Sequence, residues 1–289
     1  MTRLAAGLVV AVLVCAAIAR AQAPTFRARA DLVSIDVGVR QRGRPVTGLT
    51  AADFELIDNG VPQKISQLAY ESLPIDVTVA LDISQSVSGS VLDSLRRGVQ
   101  ELAKDLAPTD RLRLLTFNVR ITRQVDFDAG PGAVDAAFNG LRPSGPTALR
   151  DAIAVALTVP SQPDRRQLVV VFSDGDDQGS VTTPEVLLDV VRRTTPTLGL
   201  VLTPAYSESM AKVTQTFTQL ASETGGFVEI AEENKSLTSA FQKILTDFRR
   251  SYVLYFAPED VTRSGVHSVE VRVKRPGVDV HSRKAYTSK

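Results

Sequence analysis

From Pro74 onward the chain sets short, mainly apolar runs against longer stretches of helical period: IDVTVAL, SVLDSLRRGVQELAKDL and RLRLLTF, later TALRDAIAVAL, RQLVVVF, PEVLLDVVRRT, TLGLVLT and AKVTQTFTQLASETG. A strand with no polar alternation is covered on both faces, and strands joined through helices run parallel because the crossover returns the chain to the same end of the sheet. The expected fold class is therefore α/β, a doubly wound, mostly parallel sheet. One segment breaks the rhythm. VRITRQVDF follows RLRLLTF after only Asn118, too close for a crossover helix, and is expected as an antiparallel edge strand.

The flanks follow a period of two. In DLVSIDVGVRQRG, Leu32, Ser34, Asp36, Gly38 and Arg40 share one face of a strand and Val33, Ile35, Val37 and Val39 the other. Phe54, Leu56 and Ile57 then lead to Asn59-Gly60, the signal of a two-residue hairpin turn. After the helical region, SYVLYFAP and HSVEVRVKRPGVDVHSRKAY restore β character, with Val269, Val271 and Val273 on one side of a half-exposed strand. The simplest arrangement pairs the two flanks into one small sheet or sandwich with the α/β domain inserted; two separate β appendages fit the pattern equally well. The expected divisions are 22–72 and 251–289 for the β regions and 73–250 for the α/β domain.

Ahead of these stands MTRLAAGLVVAVLVCAAIARAQA: Arg3, an apolar run and a small-residue ending, the layout of a secretory signal peptide. Ala19 and Ala21 suit cleavage after residue 21, which makes residues 1–21 the signal and Gln22 the first mature residue. The run from Leu4 to Ile18 is short of the roughly 20 residues a spanning helix needs, so the mature chain is expected to carry no membrane span. An exported protein, periplasmic or extracellular, is the expectation. The sequence's single cysteine, Cys15, falls inside the signal, behind Val14 rather than a small residue, and leaves the mature chain without disulfides. Lys and Arg number 33 against 32 Asp and Glu with no basic block, which removes the electrostatic case for a nucleic-acid partner. The two histidines, His267 and His281, lie in the β tail, so no Ser/His/Asp triad or zinc site is supported in the α/β region; both are expected on the surface of a strand.

In doubly wound sheets, ligands sit beyond the carboxyl ends of the strands, near the reversal of strand order. Three loops expected there carry oxygen-bearing side chains: Asp82, Ser84 and Ser86 after the first apolar run, Thr147 in RPSGPTALRDA, and Asp174 in VVVFSDGDDQ. Alternate spacing in an extended loop points Asp82, Ser84 and Ser86 the same way. A hard cation such as Mg²⁺ takes about six oxygens and keeps waters readily, which suits hydroxyls and few charges.

Together these residues resemble the metal-ion-dependent adhesion site (MIDAS) of the von Willebrand factor type A family, whose first motif, D-x-S-x-S, stands intact as Asp82-Ile83-Ser84-Gln85-Ser86. The family's later Thr is matched by Thr147 in SGPTAL and its later Asp by Asp174 in FSDG, and the resemblance covers roughly residues 73 to 250. The flanks look like exported bacterial von Willebrand factor A-related proteins, many of them from Acidobacteria. The resemblance implies Mg²⁺ or Mn²⁺ at Asp82, Ser84, Ser86, Thr147 and Asp174, and capture of an acidic group on a protein or surface polymer through the open metal position. No acidic residue follows the motif in VSGS, so an adjacent second metal is not implied.

Other readings compete. Ser84 or Ser86 suits a helix cap, as does Thr147, which can cap and ligate together. Asp176 and Asp177 are expected as turn formers or solvated loop residues rather than ligands. SDGDDQG with Glu185 has the spacing of a calcium loop, but an apolar strand leads into it where that motif requires a helix. A haloacid-dehalogenase-like phosphatase would use Asp82 as nucleophile and SDGDD as its magnesium loop, yet Ser84 stands where a second Asp should be the general acid, so no enzyme is expected. The remaining alternative is a structural module of an envelope assembly with a non-exchanging metal.

Overall fold

The computed structural model describes residues 32–288 except 131, 159, 161, 163, 204–209, 232–235 and 263; the signal peptide expected at 1–21 lies outside the described residues. Alternation makes β1 (Val33–Gln41) an amphipathic strand with Ile35, Val37 and Val39 buried. It turns into the short β2 (Arg44–Pro45), and β3 (Phe54–Asp58) and β4 (Val61–Gln63) form a hairpin across Asn59 and Gly60, whose φ angles of 48° and 83° are those of a left-handed two-residue turn. After β5 (Ile65–Tyr70) comes β6 (Ile75–Asp82), whose eight residues are all buried.

β6 lies at the centre of a six-stranded mixed sheet. The remaining elements of this region are α1 (Ser90–Lys104), β7 (Arg111–Phe117), β8 (Ile121–Val125), α2 (Ala133–Asn139), α3 (Leu149–Leu157), β9 (Arg166–Ser173), α4 (Pro184–Arg193), β10 (Thr197–Leu202), α5 (Met210–Glu223), β11 (Phe227–Ile230) and α6 (Leu237–Arg249). The strand order is β11-β10-β9-β6-β7-β8, with every pairing parallel except that of β8, which runs antiparallel to β7 at the edge. Sequence order therefore reverses between β6 and β9, the position where loops part and leave a crevice. Apolar residues of α1, α2 and α6 pack on one face and those of α3, α4 and α5 on the other. Helix α6 sits especially close: a Cβ at Gly98 would lie 2.9 Å from Phe241 and one at Gly199 only 2.6 Å from Ile244.

The chain then returns to the first strands. β12 (Tyr252–Phe256) pairs antiparallel with both β1 and β5, and β13 (Gly265–Val273) with β3, so strands from before and after the α/β region share the same sheets. With β14 (Asp279–Ser282) beside β1 and β15 (Ala285–Ser288) beside β13, the two antiparallel sheets enclose a separate core that includes Ile35, Leu56, Leu254, Phe256 and Val271.

Two buried arginines tie this β layer to the α/β region. Arg166 donates to Asp36 Oδ1 at 2.7 Å and to the Phe248 carbonyl at 2.7 Å, joining β9, β1 and the end of α6. Arg283 donates to the carbonyls of Thr194, Thr195 and Pro196, between α4 and β10.

His267 is not a surface residue. It is 1% exposed, its Nδ1 meets Asp58 Oδ1 at 2.9 Å, and Tyr286 donates its hydroxyl to Asp58 Oδ2 at 2.6 Å. His267 is in phase with Val269 and Val271 on β13, so the strand carries it inward, where a buried carboxylate satisfies its N–H. His281, by contrast, is half-buried, with its ring 5.6 Å from that of Phe227.

Candidate metal site

β6 ends at Asp82, and the chain leaves it under tight restraint. Ile83 continues the ladder with its N–H on the Phe117 carbonyl at 2.7 Å, and the Ser84 N–H folds back onto Asp82 Oδ1 at 2.8 Å. Two further loops are laced to this one. Gln85 N–H bonds the Gly145 carbonyl at 3.1 Å and Ser144 N–H the Ile83 carbonyl at 2.9 Å, while the Thr147 carbonyl accepts from Gln178 and Gly179. All three loops of the sequence reading therefore meet at the carboxyl ends of β6 and β9.

Ser84, Ser86, Thr147 and Asp174 line one open pocket there. Ser86 donates to Asp174 Oδ2 at 2.7 Å, and the Ser84 and Ser86 hydroxyl oxygens lie 3.1 Å apart. Asp82 lies beneath, wholly buried, with Oδ1 on the Ser84 N–H and Oδ2 accepting from the Ser173 hydroxyl at 2.8 Å. Burial raises the Asp82 pKa above the usual carboxylate range, and the nearby charge of Asp174 adds to this; the bonds from Ser84 and Ser173 offset it in part.

The capping alternatives do not hold. Helix α1 is capped at Gly89 and α3 at Ala148, neither through a side chain, so Ser84, Ser86 and Thr147 are not caps. Asp177 Oδ2 instead accepts from the Arg150 N–H at 2.9 Å in the first turn of α3, which relieves Thr147 of that task. Asp177 is thus structural, as expected of a turn former. Asp176 is an exposed loop residue, as also expected; it lines the pocket and accepts from Gln178 Nε2 at 2.6 Å. Ser173 was not legible as a site residue, because D-x-S-x-S says nothing about which neighbour supports its Asp from the adjacent strand. Its hydroxyl also accepts from the Gly175 N–H at 3.1 Å, which fixes the start of the third loop.

The donor set fits a hard divalent cation. In an octahedral shell with bonds of about 2.0–2.1 Å, neighbouring oxygens lie about 3 Å apart; the Ser84–Ser86 and Ser86–Asp174 contacts are 3.1 and 2.7 Å. Among the described residues no group of three or more His, Cys, Asp or Glu side chains is placed to hold a metal. Hydroxyls must therefore supply much of any shell here, which leaves the charge of an ion only partly neutralised. In the calcium-loop reading, strand β9 rather than a helix precedes Asp174, and the loop's acids are engaged with Ser86, Gln178 and Arg150.

Residues 77–176 match the family model of the von Willebrand factor type A domain. The matched segment runs from β6 through the Asp174 loop and so contains all five candidate ligands. Among solved structures, a von Willebrand factor type A protein from Catenulispora acidiphila is similar over 91% of this chain and 76% of its own, at 12% identity and a TM-score of 0.53. Proximal thread matrix protein 1 from the mussel byssus is similar over 75% of this chain at 13% identity and a TM-score of 0.52, and the alignment spans about half of that protein, 50%. The same mussel protein is also known with a zinc-occupied MIDAS motif, at 14% identity over 66% of this chain and 49% of that one and a TM-score of 0.52. These likenesses establish a shared fold. No curated protein matches the chain.

Proposed function

We propose that this protein is a metal-dependent binding module: Asp82, Ser84, Ser86, Thr147 and Asp174 hold Mg²⁺ or Mn²⁺, and a carboxylate of a protein or surface polymer completes the shell. The observation that carries this reading is the chain of oxygens from Ser84 through Ser86 to Asp174, in an open pocket above a buried Asp82. A bound ion would supply the positive charge that draws and orients an acidic group. Ser84 and Ser86 contribute neutral oxygens, Asp174 one carboxylate, and Asp82 negative charge from below. Ser173 and the Ser84 amide hold Asp82 in place. That placement also favours binding over the phosphatase reading: a carboxylate with no exposed surface and both oxygens engaged is poorly disposed to attack a phosphoryl group.

On the same reading, residues 73–250 form the binding domain, and 22–72 with 251–289 the β layer that carries it. Export through residues 1–21 belongs to the proposal too. No described helix is long and apolar enough to cross a membrane.

Calorimetric titration of Mg²⁺, Mn²⁺ and Ca²⁺ into metal-stripped protein, with Asp174→Asn and Ser86→Ala in parallel, tests the site. Saturable binding weakened at least about tenfold in both variants, with unchanged circular dichroism, is the expected result. Absence of binding by the intact protein overturns it, and leaves a structural module only in a form without the metal.

A further inference from the structure

Two turns of the β layer carry more positive charge than their surroundings answer. Gln41 and Arg44 face each other across the β1–β2 pair, so Arg42 and Gly43 make the turn between them, with the left-handed φ angles, 53° and 76°, of a two-residue hairpin. The Gln41 side chain donates through Nε2 to the Pro276 carbonyl at 3.4 Å, which ties this turn to residues 274–277 between β13 and β14. Four basic residues are gathered in this way: Arg42, Arg44, Lys274 and Arg275, all exposed. Gln41, Arg42 and Arg44 line an open cavity.

Like charges held together repel, and elsewhere the β layer pairs its arginines: Arg40 with Asp247 and Arg272 with Glu270. Among the described residues, none of these four is held in an ion pair. Lys274 donates to the Ala52 carbonyl at 3.1 Å, and the neighbouring Asp53 is already engaged by the Thr50 N–H and hydroxyl, at 2.7 Å each. Asp279 is the other acid of the adjoining segments, so four cations stand against two carboxylates. The two turns hold no aromatic side chain and no aliphatic one besides Pro276, which leaves nothing to stack on a sugar or a base or to fill an apolar pocket. What they offer is charge and the guanidinium fork, which matches a phosphate.

Their place in the fold is at the end away from the metal loops. Asp247, the partner of Arg40, lies near the end of α6, and the adjacent Phe248 carbonyl accepts from Arg166 at the start of β9. The patch therefore joins the α/β region at the amino ends of its strands. The eight-residue length of β9, about 25 Å, lies between that end and the metal loops.

We propose that Arg42, Arg44, Lys274 and Arg275 form a docking surface for the phosphate headgroups of an anionic phospholipid membrane, which the protein meets with its β layer while the metal pocket stays free for a partner. The occupant is a membrane surface rather than a soluble polyanion because the charges lie on two neighbouring turns, spread over a face, and not along a groove that tracks a chain. The inference stands independently of the metal-dependent reading.

The test is flotation of the chain from Gln22, the expected mature protein, with vesicles of phosphatidylcholine alone or mixed in equal parts with phosphatidylglycerol, with and without EDTA. Binding to the mixed vesicles only, unchanged by EDTA and lost when salt is raised from about 0.05 to about 0.5 M, is the expected result. Each basic residue near such a surface is worth about fivefold in partitioning, so Arg42→Gln/Arg44→Gln should weaken binding about 25-fold and Arg275→Gln about fivefold. Arg96→Gln/Arg97→Gln, an equal loss of charge on α1, should change it less than about twofold. Circular dichroism of the patch variants should match the wild type. No binding to the mixed vesicles, or equal weakening by the two double variants, overturns the proposal. Binding that EDTA abolishes would put the headgroups at the metal pocket and overturns it too. Release from the vesicles by low-millimolar inorganic phosphate at constant ionic strength would make this a small-anion site and overturn the assignment of a membrane.

Discussion

Replacing Arg283 with Met should cost this protein more than any surface change. The residue is 4% exposed, and its guanidinium donates to four carbonyls, at 3.3 Å to Val191, 2.5 Å to Thr194, 2.7 Å to Thr195 and 2.7 Å to Pro196. Burial pulls its pKa down to about 10, still far enough above neutrality to keep the charge. Each hydrogen bond to a charged group is worth about 1.5–3 kcal/mol, but four that share one cation do not add. Met recovers the desolvation of the charge and fills much of the volume, while the carbonyls lose their donor. The net loss should be about 3 kcal/mol, or roughly 6–12 °C in Tm for a chain of this size. Arg283→Lys should lose nearly as much, because a single ammonium cannot reach the four acceptors of a planar fork. Denaturant unfolding followed by circular dichroism measures the loss. Mg²⁺ titration of the folded variant should be unchanged, since the clamp lies at the amino end of β10 and the pocket at the carboxyl ends of the strands. A loss under about 1 kcal/mol would refute the reasoning, showing that water serves these carbonyls as well as Arg283 does.

His281 should give acid sensitivity. Burial, and then the charge of Arg40, lower its pKa below the ordinary 6.5, so the folded state holds the neutral ring and the unfolded state binds the proton more tightly. Stability should be fully present above pH 6.5 and fall as pH drops below it toward the folded pKa; in His281→Gln, denaturation midpoints should vary less between pH 7 and pH 5. Ser173→Ala removes the hydroxyl donated to Asp82 Oδ2 and should weaken Mg²⁺ binding several-fold, with calorimetry as the readout, while the buried carboxylate and the Gly175 N–H left short of a partner cost about 1–3 kcal/mol of stability.

What could be read in advance follows from period and spacing. Leu168 to Phe172 is a central strand because nothing polar interrupts it, 75–82 is buried throughout although Asp76, Thr78 and Asp82 lie in it, and Val33 to Val39 alternate because one face meets the β core. The loops bearing Asp82, Thr147 and Asp174 converge because parallel strands all deliver their carboxyl ends to one side. Long-range partnership was the illegible part. His267 keeps the phase of Val269 and Val271, but its acceptor, Asp58, stands 209 residues earlier, and nothing local announces the pair. Helix α6 keeps helical spacing in Leu237, Phe241, Ile244, Leu245 and Phe248, yet only the packed structure shows how closely Gly98 and Gly199 let it approach.

The antiparallel register of β5 and β12 sets Tyr70 directly opposite Tyr252, with ring centroids 4.7 Å apart. Everything from β6 to α6 hangs between those two tyrosines. Facing residues in such a ladder have Cα atoms only about 4.5–5.5 Å apart, a gap that a two-residue turn closes. The intervening segment is therefore a cassette whose two ends meet. Lifting it out and joining β5 to β12 through a short turn leaves the register of both sheets intact, and the same closeness lets the segment be carried on another pair of neighbouring strands.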